Sequence, residues 1–298
     1  VYEIEEGEVT DETMTSRDLE LLELLDAYSC HADIVELVTK LEDAFDLDAL
    51  LALSDAACQE GACKELAFWV IPFLLRLSED VAEEDKLHIF IEAAMIYAYS
   101  YEIEDIVPEE LVRLLEESVV KHRESVLEYY GANAFALNDV YYLVAAIMTF
   151  YQPQWGASIL YGNLFPYDSE IELEYCCPQA HDIVVHIDAV GSHCAGAKRD
   201  NREVGGNRLR TIHAWKKGAG RQDLLALINC RLGDNGLPAI KQFAEISKAE
   251  ARVLFVVLGT MLEYAGYREE ANRYYHMLST VTCPVCKQRF VLADCWGV

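Results

Sequence analysis

Val70-Ile-Pro-Phe-Leu-Leu-Arg-Leu77 closes the most apolar run of an acidic half-chain, Ala67–Leu77, and its pattern occurs twice more. Ile34-Val-Glu-Leu-Val-Thr-Lys-Leu41 and Val107-Pro-Glu-Glu-Leu-Val-Arg-Leu114 share its aliphatic first residue, its basic seventh residue (Lys40, Arg76, Arg113) and its closing Leu. The segments start 36 and then 37 residues apart. Stacked helical pairs produce a near-constant offset in that range, because each pair buries its apolar face only against its neighbours. The N-terminal half therefore reads as an α-helical repeat array.

A chain of 298 residues with 52% hydrophobic side chains has enough apolar surface for one large or two ordinary domains, which excludes a disordered acidic protein. The net charge of −27 is unevenly placed. Residues 1–130 carry 8 Lys and Arg against 34 Asp and Glu, whereas residues 131–298 carry 16 against 17. That break marks a domain boundary. The acidic half repels nucleic acid and anionic membrane and favours basic partners, although solubility of exposed helix faces accounts for most of the charge. Ala67–Leu77 and Val253–Leu262 are core-helix lengths, too short to cross a bilayer, so no membrane partner is expected. The chain opens Val1-Tyr-Glu-Ile-Glu-Glu6, without a secretory leader pattern. Ten cysteines, some closely paired, suggest reduced thiols and metal ligands over a disulfide framework, and the expected location is cytoplasmic.

Residues 1–16 form an acidic, aperiodic lead-in that is expected to be flexible. Residues 17–151 form the helical repeat domain. Ser16 or Asp18 caps a helix with Leu19, Leu22 and Leu25 on one side. Helices are then predicted at Ala32–Phe45, Leu47–Gln59, Lys64–Leu77, Asp85–Tyr101, Pro108–Tyr130 with a break, and Asn138–Tyr151. Pro72 should kink its helix or sit near its start. The pattern changes at Gln152-Pro-Gln-Trp-Gly156, and residues 152–298 read as an α+β region. Its ribbon-like strands lie within 170–190 and 281–296, and helices within 223–278 are inserted between them, including one at Leu237–Ser247. A glycine-rich loop spans 191–220.

Thr282-Cys-Pro-Val-Cys-Lys-Gln-Arg-Phe290 is the most specific motif. Cys-Pro-x-Cys makes a tight turn that sets two thiolates on one metal, and a closed structural site needs four donors. Tyr175-Cys-Cys-Pro-Gln-Ala-His-Asp182 supplies the second half, but Ala180 stands where its second Cys should be. Cys177, His181, Cys283 and Cys286 on structural zinc is the expected set, with Cys176 as the alternative fourth ligand. A site that has lost its metal would leave Cys283 and Cys286 as thiols. No thioredoxin-like pattern surrounds them.

Other constellations carry less. His181, Asp182, His186 and Asp188 could form a metal hydrolase site, but on a strand His181 points away from the other His. His193-Cys194 reads as loop. Lys198, Arg199, Arg202, Arg208 and Arg210 within the basic loop 198–221 resemble a nucleic-acid patch, or a segment that pairs with acidic helices. Tyr129-Tyr130, Tyr141-Tyr142 and Tyr274-Tyr275 are core-edge packing or interface residues. Cys58 and Cys63 bracket a turn as buried thiols.

Ala57–Asp80, with its small-residue turn before Val70-Ile-Pro-Phe-Leu-Leu-Arg-Leu77, resembles uncharacterised bacterial HEAT-repeat-like proteins. The two Cys-Pro segments resemble ribbons that follow such arrays. The likeness covers residues 18–120 and the two knuckles. It implies a mainly α fold: a HEAT/armadillo-like α-solenoid followed by a smaller α+β region with a split zinc-ribbon-like element, and no catalytic residues. Three functions follow, in order. The first is a non-enzymatic protein–protein interaction scaffold whose acidic, tyrosine-bearing surface binds a basic partner in an immunity-type or adaptor role. The second is a nucleic-acid-associated zinc-ribbon factor using loop 198–221. The third is the metal hydrolase.

Overall fold

Helices dominate the computed structural model, which describes residues 31–58, 64–100, 107–160, 171–187, 192–194 and 221–296. The first six are α1 (His31–Asp43), α2 (Leu47–Cys58), α3 (Lys64–Leu77), α4 (Lys86–Ser100), α5 (Glu109–Ala132) and α6 (Leu137–Tyr151). Helices α2, α4 and α6 pack side by side in order, and α3 lies beside α5. The two rows meet where α3 packs on α4 and α5 on α6. The three recurring segments fall on the alternate helices α1, α3 and α5. The first two lie towards the ends of their helices, whereas the third opens α5. The sequence repeat thus marks alternate helices without marking the same turn of each.

The predicted break in the fifth of these helices is absent, and α5 runs without interruption to Ala132. Pro108 serves as its N-cap residue, its carbonyl accepting from the N–H groups of Leu111 and Val112. Pro72 sits well inside α3. The change of pattern at Gln152 is a corner: α7 (Pro153–Leu160) begins at once, with Pro153 at the first helical position, where no N–H is needed.

The remaining elements are β1 (Ile171–Cys176), β2 (Asp182–Ile187), β3 (Ser192–Cys194), α8 (Arg221–Asp234), α9 (Ala251–Tyr264), α10 (Arg268–His276), β4 (Thr280–Thr282) and β5 (Arg289–Val291). Strands β1, β2 and β3 form one antiparallel sheet in that order, and β4 pairs with β5 in a second. The helix expected at Leu237–Ser247 is only a 3₁₀ segment, Phe243–Lys248. The Asn229 side chain explains this. It accepts from the Ile240 N–H and donates to the Ile240 carbonyl, both at 2.8 Å, so that backbone is satisfied by α8 and not by a helix of its own.

Helix α9 is the centre of the C-terminal part. Every residue from Val253 to Leu262 is buried, against α6, α8, α10 and the C-terminal segment. Its neighbours approach closely at Gly259, where an added Cβ would lie 2.7 Å from the Tyr275 ring and 3.0 Å from the Ala271 carbonyl. Arg231 of α8, 1% exposed, makes a two-pronged bond to Glu263 of α9 at 2.8 and 2.5 Å. The Tyr275 hydroxyl donates to the same carboxylate at 3.0 Å. Two tyrosines tie these helices to the N-terminal array: Tyr130 donates to the Met261 carbonyl at 2.5 Å, and Tyr267 to the Phe135 carbonyl at 2.8 Å. One hydrophobic core runs from Ile34 to Ala293.

The tyrosine pairs belong to that core. Tyr129, Tyr130, Tyr141, Tyr274 and Tyr275 are buried and Tyr142 is half-buried, so they do not furnish a tyrosine-bearing outer surface. Cys58 is half-buried, and burial, helped by Glu92 and Asp55, pushes its thiol up to about 11. Cys63 and the helix predicted after Ser16 lie outside the described residues.

Gly259→Ala should destabilise the protein by about 1–3 kcal/mol, the cost of overpacking a closed core. Arg231→Ala, which strands the Glu263 carboxylate, should cost about 3–5 kcal/mol. Urea unfolding followed by circular dichroism measures both.

Candidate metal centre

Two short hairpins meet at their turns. In the first, β1 and β2 pair from Ile171 with Ile187 down to Cys176 with Asp182. Its turn closes through the Cys177 N–H to the His181 carbonyl (3.0 Å) and the Ala180 N–H to the Cys177 carbonyl (2.7 Å). In the second, β4 and β5 end at Thr282 with Arg289. Here the Cys283 N–H donates to the Gln288 carbonyl (2.9 Å) and the Lys287 N–H to the Cys283 carbonyl (3.0 Å). The first turn is therefore one residue shorter than the second.

That difference explains the missing cysteine. Ala180 and Lys287 are the two non-glycine residues with positive φ among the described residues, at 57° and 65°. Ala180 thus takes the backbone role of Lys287, the left-handed residue that ends the turn, and not the role of Cys286. The residue after it, His181, carries the next donor. Its Nδ1 lies 3.3 Å from the Cys177 Sγ. Across the two hairpins, the Cys177 and Cys286 Sγ atoms are 3.9 Å apart. All four donor atoms, from Cys177, His181, Cys283 and Cys286, lie within 4.8 Å of one another, a group that could hold a metal ion.

The environment favours ionised sulfur at one position. Burial opposes the charge on Cys283, but the backbone N–H groups of Cys286 and Val285, with the neighbouring thiols, together hold its thiol below the ordinary value. The Gln288 N–H acts the same way on Cys286, yet burial and the Cys283 and Cys177 sulfurs outweigh it and raise that thiol. Three thiols crowded together cannot all ionise without a cation to balance them. A metal ion is the natural balance, since bound thiols give up their protons.

The structure brings the four residues singled out in the sequence into one cluster. Cys176 stands apart: it is exposed and donates to Asp182 Oδ1 at 3.2 Å, which raises its thiol. Asp182 and His186 lie along β2, where Ile183, Val185 and Ile187 take the alternate, buried positions. His193 and Cys194 are on β3, a strand and not the expected loop, with His193 opposite His186 in register. Lys198, Arg199, Arg202, Arg208 and Arg210, and Asp188, lie outside the described residues.

The segment after the second hairpin departs from the expectation. After β5 the chain turns into a 3₁₀ segment, Leu292–Cys295, where a continuous β unit was expected. The Leu292 and Ala293 N–H groups bond to the Ser279 and Met277 carbonyls, and Arg252 of α9 clasps Asp294. Trp296 then stacks on Trp155 at 6.1 Å and meets Phe255 edge-on at 5.7 Å. Burial, the Asp294 charge and the Cys177 sulfur raise the Cys295 thiol.

No family model, no curated protein and no solved structure matches the chain.

Ala180→Gly should keep the centre and add about 0.5–1 kcal/mol of stability, because glycine adopts positive φ without strain. Ala180→Val should weaken it. Thermal unfolding and metal titration of both variants make the comparison.

Proposed function

We propose that the chain is a non-enzymatic scaffold: a HEAT/armadillo-like α-solenoid whose acidic helical surface binds a basic protein partner, in an immunity-type or adaptor role. A split zinc-ribbon-like element closes its C-terminal region. One observation carries the reading. Five of the eight lysines and arginines of the acidic half pair with carboxylates: Lys40 with Asp46, Arg76 with Glu42, Lys86 with Glu83, Arg113 with Glu117 and Lys121 with Glu79. Their charge is already balanced locally, and with 34 acids against 8 bases the surplus of carboxylates is left for solvent or for a partner. Such a surface steers cationic partners in and repels anionic ones.

Zinc fits the centre by chemistry and by size. Three thiolates and an imidazole are the soft donors of a closed structural zinc site. With Zn–S bonds of about 2.3 Å and Zn–N bonds of about 2.0 Å, a tetrahedron separates two sulfurs by about 3.8 Å and sulfur from nitrogen by about 3.5 Å. The spacings of 3.9 and 3.3 Å match that pattern. Cys177 and His181 from one hairpin, with Cys283 and Cys286 from the other, would hold the ion, which when bound supplies a cross-link between distant segments. Four protein donors fill a tetrahedral shell, which suits structure and not hydrolysis.

Protein purified without added zinc should carry one zinc per chain by mass spectrometry of the metal, and Cys283→Ser and His181→Ala should both lose it. Its removal by a chelator should also shift the tryptophan emission, because Trp296, which stacks on Trp155, ends the segment that continues from the second hairpin. A metal-free wild type overturns the zinc assignment. Retention of a basic probe protein should fall at least about tenfold as salt rises from about 0.1 to about 1 M, over which the screening length shrinks from about 10 to about 3 Å. Salt-independent retention overturns the scaffold reading.

A further inference from the structure

Between α3 and α5 runs a groove of about 220 Å³ with an apolar floor of Trp69, Pro72, Phe73 and Leu114. The Trp69 and Phe73 rings stack at 5.3 Å and 11°, which makes part of this floor flat and aromatic. Pockets for drug-sized ligands begin at about 300 Å³, so this groove suits a smaller molecule. His122 is a buried part of its wall. Both of its ring nitrogens are engaged, Nδ1 at 2.7 Å from the Ser118 carbonyl and Nε2 at 2.9 Å from Glu79 Oε1.

The charged side chains that line the groove are basic in balance: Arg76 and Lys121 against Glu117. The carboxylates that pair with the two bases, Glu42 and Glu79, are not among the lining residues, and they use few of the available donors. Among the described residues, Arg76 gives one of its five N–H donors to Glu42, at 3.5 Å. Lys121 gives one of its three to Glu79, at 2.7 Å. Glu79 Oε1 is also shared with His122. The Arg76 and Lys121 side chains are 45% and 64% exposed, and exposed pairs of this kind hold weakly. The lining carboxylate, Glu117, is itself drawn towards Arg113 at 4.0 Å.

We propose that this groove binds a small aromatic monocarboxylate. The ring of the ligand lies against the apolar floor. Its carboxylate accepts from the unengaged N–H groups of Arg76 and Lys121, charge-assisted bonds that are stronger than neutral ones. Two positive charges against one negative leave a single charge for the ligand to balance, which one carboxylate does. A cation in the same place would meet two like charges. The negative field of the surrounding acidic half acts over distance and opposes anions, so the site is confined to a ligand of one charge and excludes polyanions. This site is separate from the capture of a basic protein and stands or falls without it.

The test titrates the full chain into 3-phenylpropanoate, followed by line broadening of the ligand's NMR signals. Two probes of similar shape, neutral 3-phenylpropanamide and cationic 3-phenylpropylammonium, are run beside it. The carboxylate should bind at least about tenfold more tightly than either, the scale of hydrogen bonds to a charged group. Arg76→Gln and Lys121→Gln should each weaken it about tenfold. Lys86→Gln makes the same charge change outside the groove and should leave the affinity as it is, whereas Glu117→Gln should raise it. 3-Cyclohexylpropanoate, equally charged but not flat, should bind more weakly. Circular dichroism checks that the variants fold, and the probe series decides without them. No saturable binding of the carboxylate, tighter binding of the ammonium probe, or wild-type affinity in both Arg76→Gln and Lys121→Gln overturns the site. Equal binding of the cyclohexyl acid overturns the aromatic assignment. Salt-dependent retention of a basic protein is unaffected by any of these results.

Discussion

A helix that is apolar on every side has to be wrapped by other elements, and α9 is such a helix. Ten consecutive residues, Val253 to Leu262, are buried. Helix α6 of the N-terminal array, helices α8 and α10, and the Leu292–Cys295 segment each cover part of its circumference. The polar groups that this packing buries are answered locally, by Arg231, Glu263 and Tyr275 in one network and by Thr260 donating to the Val256 carbonyl. Gly259 is where the wrapping is tightest, since a side chain there would occupy the space of the Tyr275 ring. Burial on all sides also makes the array and the C-terminal region share a single core.

The candidate metal centre lies at the margin of this core and depends on it. Cys177 and Cys286 are 109 positions apart in the chain. Closing so long a loop costs conformational entropy. Packing around α9 bears that cost in part, because the second hairpin follows directly from α10 and its far end is held by Arg252 and Trp296 against α9 and Trp155. The donors are thus brought together by the fold as well as by any ion. A bound ion would then add its affinity to a partly assembled site, and its loss would be felt first at the hairpins and at the Trp155–Trp296 stack. The longer-range consequence is mechanical, since the same segments fix the end of the helical array.

Charge and shape act on different scales in the acidic half. The surplus of carboxylates makes a long-range field, and salt screens it. The groove between α3 and α5 is a short-range feature, lined by Pro72 and the stacked Trp69 and Phe73 rings. Local pairing of nearby bases leaves the field of the acidic half negative while keeping each exposed pair weak enough to exchange.

Helix positions were legible because helical periodicity and Gly or Pro breaks are local signals: Lys64–Leu77 is as predicted, and most of the other helical spans agree within a few residues. The failures came where one side chain from elsewhere decided the backbone. Asn229 capturing Ile240 leaves only a 3₁₀ turn where a helix was expected, and Trp296 reaching Trp155 follows a 3₁₀ segment where strand was expected. The donor identities were also legible, since Cys-Pro-x-Cys announces itself. What Ala180 was for was not, because a positive φ and a turn one residue shorter are geometric facts with no residue code outside glycine. By itself the sequence determined the helical character, the charge division and the Cys-Pro-x-Cys pair, all of which reside in local composition and spacing. Only the tertiary structure decided that the donors converge, that the tyrosine pairs face inward and that a groove opens beside Pro72, because each depends on contacts between residues far apart in the chain.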